Sequence, residues 1–431
     1  MASDAVLGHG FFDLYFYVMR SDTTAAPSSK SVLVSGMGIA GPTLAYWLSV
    51  HGFKTTLVEI APHFRTGGYV IDFWGRGFDV AEKMGMLPDI KREGYDVKEL
   101  RLVNSNGRRV GGMNAEFFRS VTKGRYVSIP RGELAKIIYQ KVEGRCETLF
   151  GESIRKIEDY ASGVRVSFER TDPRHFDLVI GADGLHSAVR KLVFGKHDLF
   201  EKYLGYMVAA FTVSNYRPRD KDVYVSYSVP GKQVARFAMR NDQTMFLFVF
   251  AEPQGRYVEA QGIDHKDILR AEFGEAGWEC HQILAAMESC GDIYFDRVSQ
   301  IRMDTWSRGR VSLVGDAAFC PSFLAGQGSA LAMLAAYVLA GELSRAADRP
   351  GNAFQCYEHI LRPFITSKQN AAVKFCGSFA PRTQFGLFFR NQITKAFKLP
   401  FVAELAMGPS LLDQIDLPDY RAPVDIGTKS Q

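Results

Sequence analysis

The stretch SVLVSGMGIAGPTLAYWLSVHGFKTTLVE, residues 31–59, predicts a strand, a helix and a second strand in immediate succession. Ser31–Ser35 is a short β-branched run that ends in glycines, which is typical of a buried strand. The apolar residues of Pro42–Val50 recur at helical spacing, and a second apolar run ends at Glu59. A unit of about 30 residues is the length of a parallel crossover, so we expect two parallel strands joined by a helix.

Three glycines lie between the first strand and the helix. In this pattern the first glycine permits a tight turn, the second lets the backbone approach a diphosphate, and the third allows close packing of the helix on the strand. The helix N-terminus carries partial positive charge for the phosphates. Glu59 can accept hydrogen bonds from a ribose but would repel a 2′-phosphate, which favours FAD or NAD. The residues predicted to bind the dinucleotide are Gly36, Gly38, Ile39, Ala40, Gly41 and Glu59.

The composition is that of an ordinary globular protein, with 46% hydrophobic residues, 23% charged residues and a net charge of +5. The basic residues are scattered along the chain, which argues against a nucleic-acid partner. None of the six cysteines belongs to a C-x-x-C pair, and no histidine cluster accompanies them. We therefore expect no disulfide framework and no metal site, and reduced thiols fit a cytoplasmic protein.

No apolar run reaches the roughly 18 residues that cross a bilayer. Phe11–Met19 is apolar but short, is interrupted by Asp13, and has no basic segment before it. We expect neither a transmembrane segment nor a signal peptide, and we predict a disordered lead-in over residues 1–28.

The secondary-structure pattern changes twice along the rest of the chain. Helical patterns cover Val80–Glu93 and residues 131–141, and the Asn106-Gly107 pair between them predicts a hairpin turn. From residue 206 to 252, strand-like runs separated by turns predict an antiparallel sheet, and residues 264–287 are again helical in pattern. A buried-strand pattern returns at residues 311–315, and the remainder of the chain is mostly helical in pattern.

Two further motifs read VIGADGLHSAVR at residues 179–190 and GDAAFCPSFLAGQGSA at residues 315–330. Together with the glycine motif, in this order and at these separations, they resemble the class A flavin monooxygenases of the aromatic hydroxylase superfamily. The resemblance covers residues 30–345. It implies an α/β fold with a Rossmann-type FAD-binding domain, an inserted antiparallel β-sheet substrate domain and a C-terminal helical segment.

On this basis we expect the FAD-binding domain at residues 29–200, with some of its strands joining the substrate domain at residues 201–299. The FAD-binding domain then returns at residues 300–348, and a helical region covers residues 349–431. Only one dinucleotide motif is present, which fits NADPH or NADH acting as a transient co-substrate.

The resemblance also implies roles for individual residues. Asp316 matches the aspartate that hydrogen-bonds the FAD ribityl chain, and Arg131 matches an arginine near the FAD phosphate and ribityl region. Asp183, with Gly184, matches a pair that handles both FAD and NAD(P)H. Each aspartate alone is equally typical of a turn or a helix cap. Arg65 either donates to FAD or is a solvated loop residue.

Pro321 matches a family proline that lines the flavin face where oxygen reacts. The segment Gly326-Gln-Gly328 precedes a helix that begins near Ser329, so its backbone N–H groups and dipole can stabilise negative charge on a reduced flavin. The family often has His or Tyr after Gly-Asp-Ala-Ala, whereas this chain has Phe319. This departure removes the basis for expecting a polar contact there.

A narrower similarity links residues 66–75, 316–332 and 337–343 to soil-type tetracycline destructases and their relatives. Those enzymes carry a C-terminal helical appendage that bridges to the substrate domain, and Phe354–Phe379 can supply it. Asp72 and Trp74 fall where family members approach the flavin ring. Relatives with other substrates share this signature, so a tetracycline is one candidate among several.

Strand aromatics at residues 211–250 offer candidate walls for a substrate pocket, although alternating aromatics are more often plain core. The candidates are Phe211, Tyr224 and Phe237. No catalytic acid or base is assigned, because the cofactor carries the chemistry.

We expect an FAD-dependent, NAD(P)H-consuming monooxygenase that uses dioxygen to hydroxylate a small aromatic, polyketide or tetracycline-like substrate through a flavin C4a-hydroperoxide. The alternatives are a flavin dehydrogenase or reductase without oxygen insertion and a non-enzymatic flavin-binding protein. A monomer or weak homo-oligomer is expected.

Overall fold

The computed structural model of the protein describes residues 30–64, 68–257, 262–346, 349–396 and 413–420. The lead-in predicted for residues 1–28 lies outside these ranges. The strands are β1 (Ser31–Ser35), β2 (Lys54–Glu59), β3 (Val70–Trp74), β4 (Glu99–Val103), β5 (Arg109–Asn114), β6 (Tyr126–Pro130), β7 (Glu147–Phe150), β8 (Ile154–Tyr160), β9 (Gly163–Phe168), β10 (Arg174–Phe176), β11 (Leu178–Gly181), β12 (Glu201–Ser214), β13 (Val223–Val229), β14 (Lys232–Ala238), β15 (Gln243–Ala251), β16 (Tyr294–Ile301), β17 (Ser307–Arg308) and β18 (Val311–Leu313).

Twelve α-helices occur in the described residues. They are α1 (Ala40–Val50), α2 (Arg76–Lys83), α3 (Leu87–Glu93), α4 (Glu116–Val121), α5 (Arg131–Val142), α6 (Ala188–Val193), α7 (His265–Phe273), α8 (Cys280–Met287), α9 (Asp316–Phe319), α10 (Gly328–Arg345), α11 (Pro350–Phe379) and α12 (Gln384–Ala396). No described helix has both the length and the apolar character needed to cross a membrane.

A six-stranded sheet in the order β17-β18-β11-β1-β2-β7 confirms the predicted Rossmann-type core. Strand β1 pairs in parallel with β2 on one side and with β11 on the other, and β11 pairs in parallel with β18. The register places Ser35 beside Gly181 and Gly181 beside Leu313. The carboxyl ends of three parallel strands therefore meet at one edge, the position where ligands bind in open α/β sheets.

A second, seven-stranded sheet has the order β16-β12-β15-β14-β13-β4-β5 and confirms the predicted antiparallel sheet. Its pairs are antiparallel except for β13 with β4. The hairpin predicted at Asn106-Gly107 supplies β4 and β5, and Gly107 has the positive φ of +73° that this turn needs. Strands from before residue 200 thus join this sheet.

Two predicted helices are each divided in the structure. The pattern over residues 80–93 forms α2 and α3, because Gly85 adopts φ +66° between them. The pattern over residues 264–287 forms α7 and α8, and the interruption contains Trp278 at φ +59°. The Trp278 amide donates to Ser105 O at 3.0 Å, so contact with the β4–β5 turn outweighs helical periodicity.

The C-terminal part contains the helices α11 and α12, whereas residues 413–420 are an irregular segment, which the sequence had placed in a helical region. This segment packs on α10. The Tyr337 hydroxyl donates to Pro418 O at 2.9 Å, and the Tyr420 hydroxyl donates to Glu342 Oε1 at 2.6 Å. A β-carbon at Gly341 would lie 2.2 Å from the Tyr420 ring, so the absence of a side chain there lets the segment approach the helix.

Candidate functional site

The site begins where β1, β11 and β18 end side by side. The Gly36 amide donates to Val58 O at 2.8 Å, the Ala182 amide to Ser35 O at 2.7 Å, and the Val314 amide to Gly181 O at 2.9 Å. These bonds align three turns that contain the three sequence motifs. Residues separated by almost 300 positions in the chain are thereby brought to one edge.

The glycines of the first turn have different roles. Gly36 has φ +105°, and a β-carbon there would lie 2.6 Å from Ala182 O. A β-carbon at Gly41 would lie 1.9 Å from Gly36 O. At both positions, therefore, backbone atoms leave no room for a side chain. At Gly38 the one neighbour within 4 Å of a β-carbon, among the residues that the structure describes, is a guanidinium nitrogen of Arg131, at 3.2 Å. Gly38 therefore leaves an open surface on the turn, as expected where a diphosphate approaches the backbone.

Helix α1 presents an uncapped N-terminus to this turn. Its N-cap residue Ile39 provides no side-chain hydrogen bond, and the first turn contains no acidic residue. The first-turn amides, which include those of Ala40 and Gly41, have no intrahelical acceptor. They can bind an anion, and the helix dipole favours one there.

Glu59, at the end of β2, holds the glycine turn from the side. Its Oε2 accepts the Met37 amide and its Oε1 accepts the Ala61 amide, both at 2.9 Å. Each carboxylate oxygen can accept a second hydrogen bond, so Glu59 keeps capacity for ribose hydroxyls. The carboxylate thus shapes the turn, a role that sequence reasoning did not assign.

Arg131 is the first residue of α5, directly after Pro130. Its amide donates to Tyr69 O at 2.9 Å, and its guanidinium extends to Gly38. Among the described residues this guanidinium has no ion-pair or hydrogen-bond partner, although its charge partly offsets the rise that burial causes in the pKa of Asp316. A cation between the glycine turn and Asp316 is suited to a phosphate-bearing ligand.

Asp316 begins the short helix α9 after Gly315, whose φ is +67°. A β-carbon at Gly328 would lie 3.7 Å from Asp316 Oδ1, so the carboxylate stands beside the start of α10. Burial raises the pKa of Asp316, although part of the residue's surface remains accessible to solvent. A desolvated carboxyl that keeps accessible surface faces an internal cleft.

Asp183 is engaged by its own loop. Its Oδ1 accepts Ser187 Oγ at 2.5 Å and its Oδ2 accepts the Val189 amide at 3.0 Å, so the side chain organises the start of α6. The backbone of this loop, and not the Asp183 side chain, approaches the glycine turn. A β-carbon at Gly36 would lie 2.8 Å from Asp183 Cα. The buried Arg190 of the same motif donates to Ala317 O at 2.8 Å and ties the second motif to the third.

The loop that contains Pro321 is supported from the protein interior. Gln300 Nε2 donates to Pro321 O at 2.8 Å, and Gln369 Nε2 donates to Phe319 O at 3.2 Å. Gln369 belongs to α11, so the C-terminal helices position this loop. Phe319 packs against Trp306, with ring centroids 4.7 Å apart, which explains why no polar residue is needed at that position.

Helix α10 begins at Gly328 and has no side-chain cap from Gln327 and no acid in its first turn, which includes Ser329. Gly326 precedes it at φ +67°, and a β-carbon there would lie 3.5 Å from the Trp74 ring. This 18-residue helix therefore directs a second uncapped N-terminus at the cleft beside Asp316.

An aromatic cluster that the sequence did not reveal lines the same region. The Tyr69 ring lies 4.6 Å from Phe323 and 5.4 Å from Tyr294, measured between centroids. Burial raises the pKa of Tyr69 to about 12, so its hydroxyl stays protonated near neutral pH. The signal was hidden because these residues come from three separate segments.

The three predicted pocket residues are divided between the two faces of the seven-stranded sheet. Tyr224 and Phe237 stack with centroids 4.3 Å apart, in a cluster that includes Tyr69 and Met245. Phe211 lies on the opposite face, where it packs against Phe248 beneath α7 and α8. Phe211 is therefore a core residue and not a pocket residue, the alternative that the sequence left open, because side-chain alternation along β12 points it to the face covered by α7 and α8. Arg65 lies outside the described residues.

Comparisons with known proteins agree with this geometry. A family model described as "FAD binding domain" matches residues 29–368. An uncharacterised protein of Mycobacterium tuberculosis is 39% identical over 354 residues, which cover 79% of this chain and 92% of the relative. A flavin-dependent monooxygenase from an unknown prokaryotic organism is 35% identical over 396 residues, 90% of this chain and 98% of the relative. The crystal structure of tetracycline destructase Tet(55) superposes with a TM-score of 0.78 at 32% identity, covering 92% of this chain and 100% of that one.

Proposed function

The chain belongs to the FAD-binding-domain family and is an FAD-dependent monooxygenase, and on this premise we propose that it consumes NAD(P)H and hydroxylates a flat, hydroxylated aromatic or polyketide-like molecule. The observation that carries the proposal is the convergence of two uncapped helix N-termini, Arg131 and Asp316 on one cleft. Tetracycline-like compounds are the first substrates to test, since the structure of a tetracycline destructase is similar along almost the whole chain.

The residues at the edge of the parallel sheet fit FAD. The open face of Gly38 and the first-turn amides of α1 bind the diphosphate, and Glu59 binds the adenosine ribose. Arg131 contributes positive charge to the phosphates, and Asp316 hydrogen-bonds the ribityl chain.

When bound, FAD would supply the redox chemistry, namely hydride transfer from NAD(P)H and activation of dioxygen for transfer of one oxygen atom. The chain's own residues bind, orient and exclude water. The N-terminus of α10 stabilises negative charge on the bound ring system. The Pro321 loop, held by Gln300 and Gln369, fixes one wall of the cleft. Aromatic walls exclude water from the reacting atoms.

The substrate occupies the space between the two sheets. One wall is the face of the seven-stranded sheet that contains Tyr224 and Phe237, and another is the Tyr69–Tyr294–Phe323 cluster. Flat aromatic walls suit a flat substrate, because stacked rings add about 0.5–1.5 kcal/mol beyond simple burial.

The test is a substrate screen with the purified, FAD-loaded full chain. Tetracyclines, simple phenols and polyketide phenols are each added, and oxidation of NADPH and of NADH is followed in parallel. We expect a compound that stimulates oxidation and acquires one atom of ¹⁸O from labelled dioxygen. Stimulated oxidation without label in any product would overturn oxygen transfer and favour a reductase. A protein that retains no flavin would overturn the assignment of the site.

A further inference from the structure

A polar cluster on one wall of the cleft is not among the groups described above that would hold the cofactor. It lies on the two-stranded sheet formed by β3 and β6, in which Asp72 directly opposes Ser128. Ser128 Oγ donates to Asp72 Oδ1 at 2.5 Å, and the Tyr126 hydroxyl donates to the same oxygen at 2.7 Å. Within the described residues Asp72 Oδ2 has no hydrogen-bond partner, and it is not one of the fully enclosed unpaired atoms. One carboxylate oxygen is thus fixed, and the other is open.

Strand alternation sets the direction in which this cluster faces. Ile71 and Phe73 point into the core of the FAD-binding region, where Phe73 is fully buried. Val70, Asp72 and Trp74 point to the other side, where a β-carbon at Gly326 would lie 3.5 Å from the Trp74 ring. Asp72 therefore faces the space into which α10 directs its N-terminus.

The seven-stranded sheet closes this space from across the cleft. Tyr224 lies close enough to Asp72 for the carboxylate to raise the pKa of its phenol, after the larger effect of burial. Burial also raises the pKa of Tyr126, so both phenols stay protonated. Burial raises the pKa of Asp72, whereas the bonds from Ser128 and Tyr126 lower it. The cluster offers hydroxyl groups and one open carboxyl oxygen among aromatic walls.

Asp72 Oδ2 keeps accessible surface and an unused acceptor position, so a hydroxyl donor that enters the cleft can hydrogen-bond it in place of water. The backbone ladder already joins β3 to β6 through five residue pairs, so sheet pairing does not require the cluster. We propose that Asp72, Tyr126 and Tyr224 form the polar end of the substrate cleft, and that Asp72 Oδ2 hydrogen-bonds a phenolic or enolic hydroxyl of the substrate. The proposal rests on the proposed function, because it names the chemical group by which the same cleft recognises its substrate.

The experiment uses the FAD-loaded full chain and two flat probes with the same ring system, 2,6-dihydroxyanthraquinone and 9,10-anthraquinone. Binding is followed by quenching of protein fluorescence. We expect the wild type to bind the dihydroxy compound about tenfold or more tightly than the parent quinone. Asp72→Asn removes most of this preference by weakening binding of the dihydroxy compound, while affinity for the parent quinone stays the same. Tyr126→Phe gives an intermediate preference, because the carboxylate remains but loses one donor.

Two exposed residues provide matched controls, Asp172→Asn and Tyr160→Phe, and neither changes the preference. Equal effects of Asp72→Asn on both probes, or none on either, overturn the proposal. So does loss of FAD in Asp72→Asn together with an unaltered preference in Tyr126→Phe, since the cluster then serves the cofactor. Flavin content and ¹⁸O incorporation by the wild type are measured separately, so failure of the proposed function is seen in those assays and not in the probe preference.

Discussion

The two sheets build their parts of the cleft in different ways. At the edge of the six-stranded sheet, the proposed cofactor site consists mainly of backbone: glycine turns, amides and helix N-termini, with few side chains. On the seven-stranded sheet, the proposed substrate wall consists of side chains such as Tyr224 and Phe237. Backbone sites require particular residues at fixed spacing, whereas a side-chain wall only requires some bulky group. We therefore expect substitutions in the first region to abolish cofactor binding and those in the second to change substrate choice.

The largest effect is expected for Gly36→Ala. The new β-carbon would lie 2.6 Å from Ala182 O, and φ +105° strains any residue with a side chain. We expect a loss of about 2–4 kcal/mol in the free energy of unfolding, together with loss of bound flavin. Urea denaturation and flavin absorbance after gel filtration measure the two effects.

Gly351→Ala is the matched control, because a β-carbon there meets open space at the start of α11. It should keep its flavin and be equally or more stable, by up to about 1 kcal/mol. Flavin retention by Gly36→Ala at wild-type level would remove the basis for a backbone-built cofactor site.

Asp316→Asn separates cofactor binding from stability. We expect FAD affinity to fall by about tenfold or more, since a charged acceptor for the ribityl hydroxyls is lost. The flavin-free protein should instead become more stable at neutral pH. Burial raises the folded-state pKa of Asp316, so its ionisation costs stability increasingly as pH rises above the unfolded value of 3.8.

Two measurements, each at about pH 5 and about pH 7.5, test the expected loss of FAD affinity and the expected gain in stability of this variant. They are flavin titration and urea denaturation of the flavin-free protein. Asp304→Asn, at an exposed position, is the control and should change neither quantity. A flavin-free Asp316→Asn protein that is less stable than the wild type at both pH values contradicts the expectation.

Phe237→Leu and Phe211→Leu test the two faces of the same sheet. Both side chains are almost fully buried, so each substitution should cost a similar free energy of unfolding, about 1–2 kcal/mol. Only Phe237→Leu should change the KM for an aromatic substrate, by about threefold to tenfold, because Phe237 packs behind Tyr224 on the sheet face proposed to wall the substrate cleft. Steady-state kinetics on the two variants provide the comparison. A KM change in Phe211→Leu as large as in Phe237→Leu would show that the outer face also shapes the cleft.

The smallest effect concerns a contact between the two regions. His186, from the second motif, lies 3.0 Å from Asp296 Oδ2 on β16, and this hydrogen bond raises the pKa of His186. A raised folded-state pKa stabilises the protein fully below the ordinary value of 6.5, and the contribution is lost as pH rises through the raised pKa. His186→Gln should therefore lower the urea midpoint slightly at about pH 5.5 and leave it unchanged at about pH 8.5. An equal decrease at both pH values would mean that the charged pair is not responsible.

Sequence reasoning was most reliable where one short stretch contained a complete physical requirement. The glycine turn, the parallel crossover and the β4–β5 hairpin each depend on local φ values and spacing, and each is confirmed. It was least reliable where a distant contact decided the outcome. Trp278 interrupts a predicted helix because its amide bonds to Ser105, which is more than 170 residues earlier. Phe211 was grouped with Tyr224 and Phe237 because its sequence does not reveal which face of the sheet is covered by α7 and α8.

The sequence by itself determined the FAD-binding core and the family, because tight turns and close helix–strand packing admit almost no residue except glycine at fixed positions. The tertiary structure alone decided on which face of the sheet each aromatic packs, how Asp183 is used, and that Asp72 accepts hydrogen bonds from Tyr126 and Ser128. These contacts join segments that are distant in the chain, and many side chains satisfy the same local pattern. Only the folded arrangement of the two sheets selects among them.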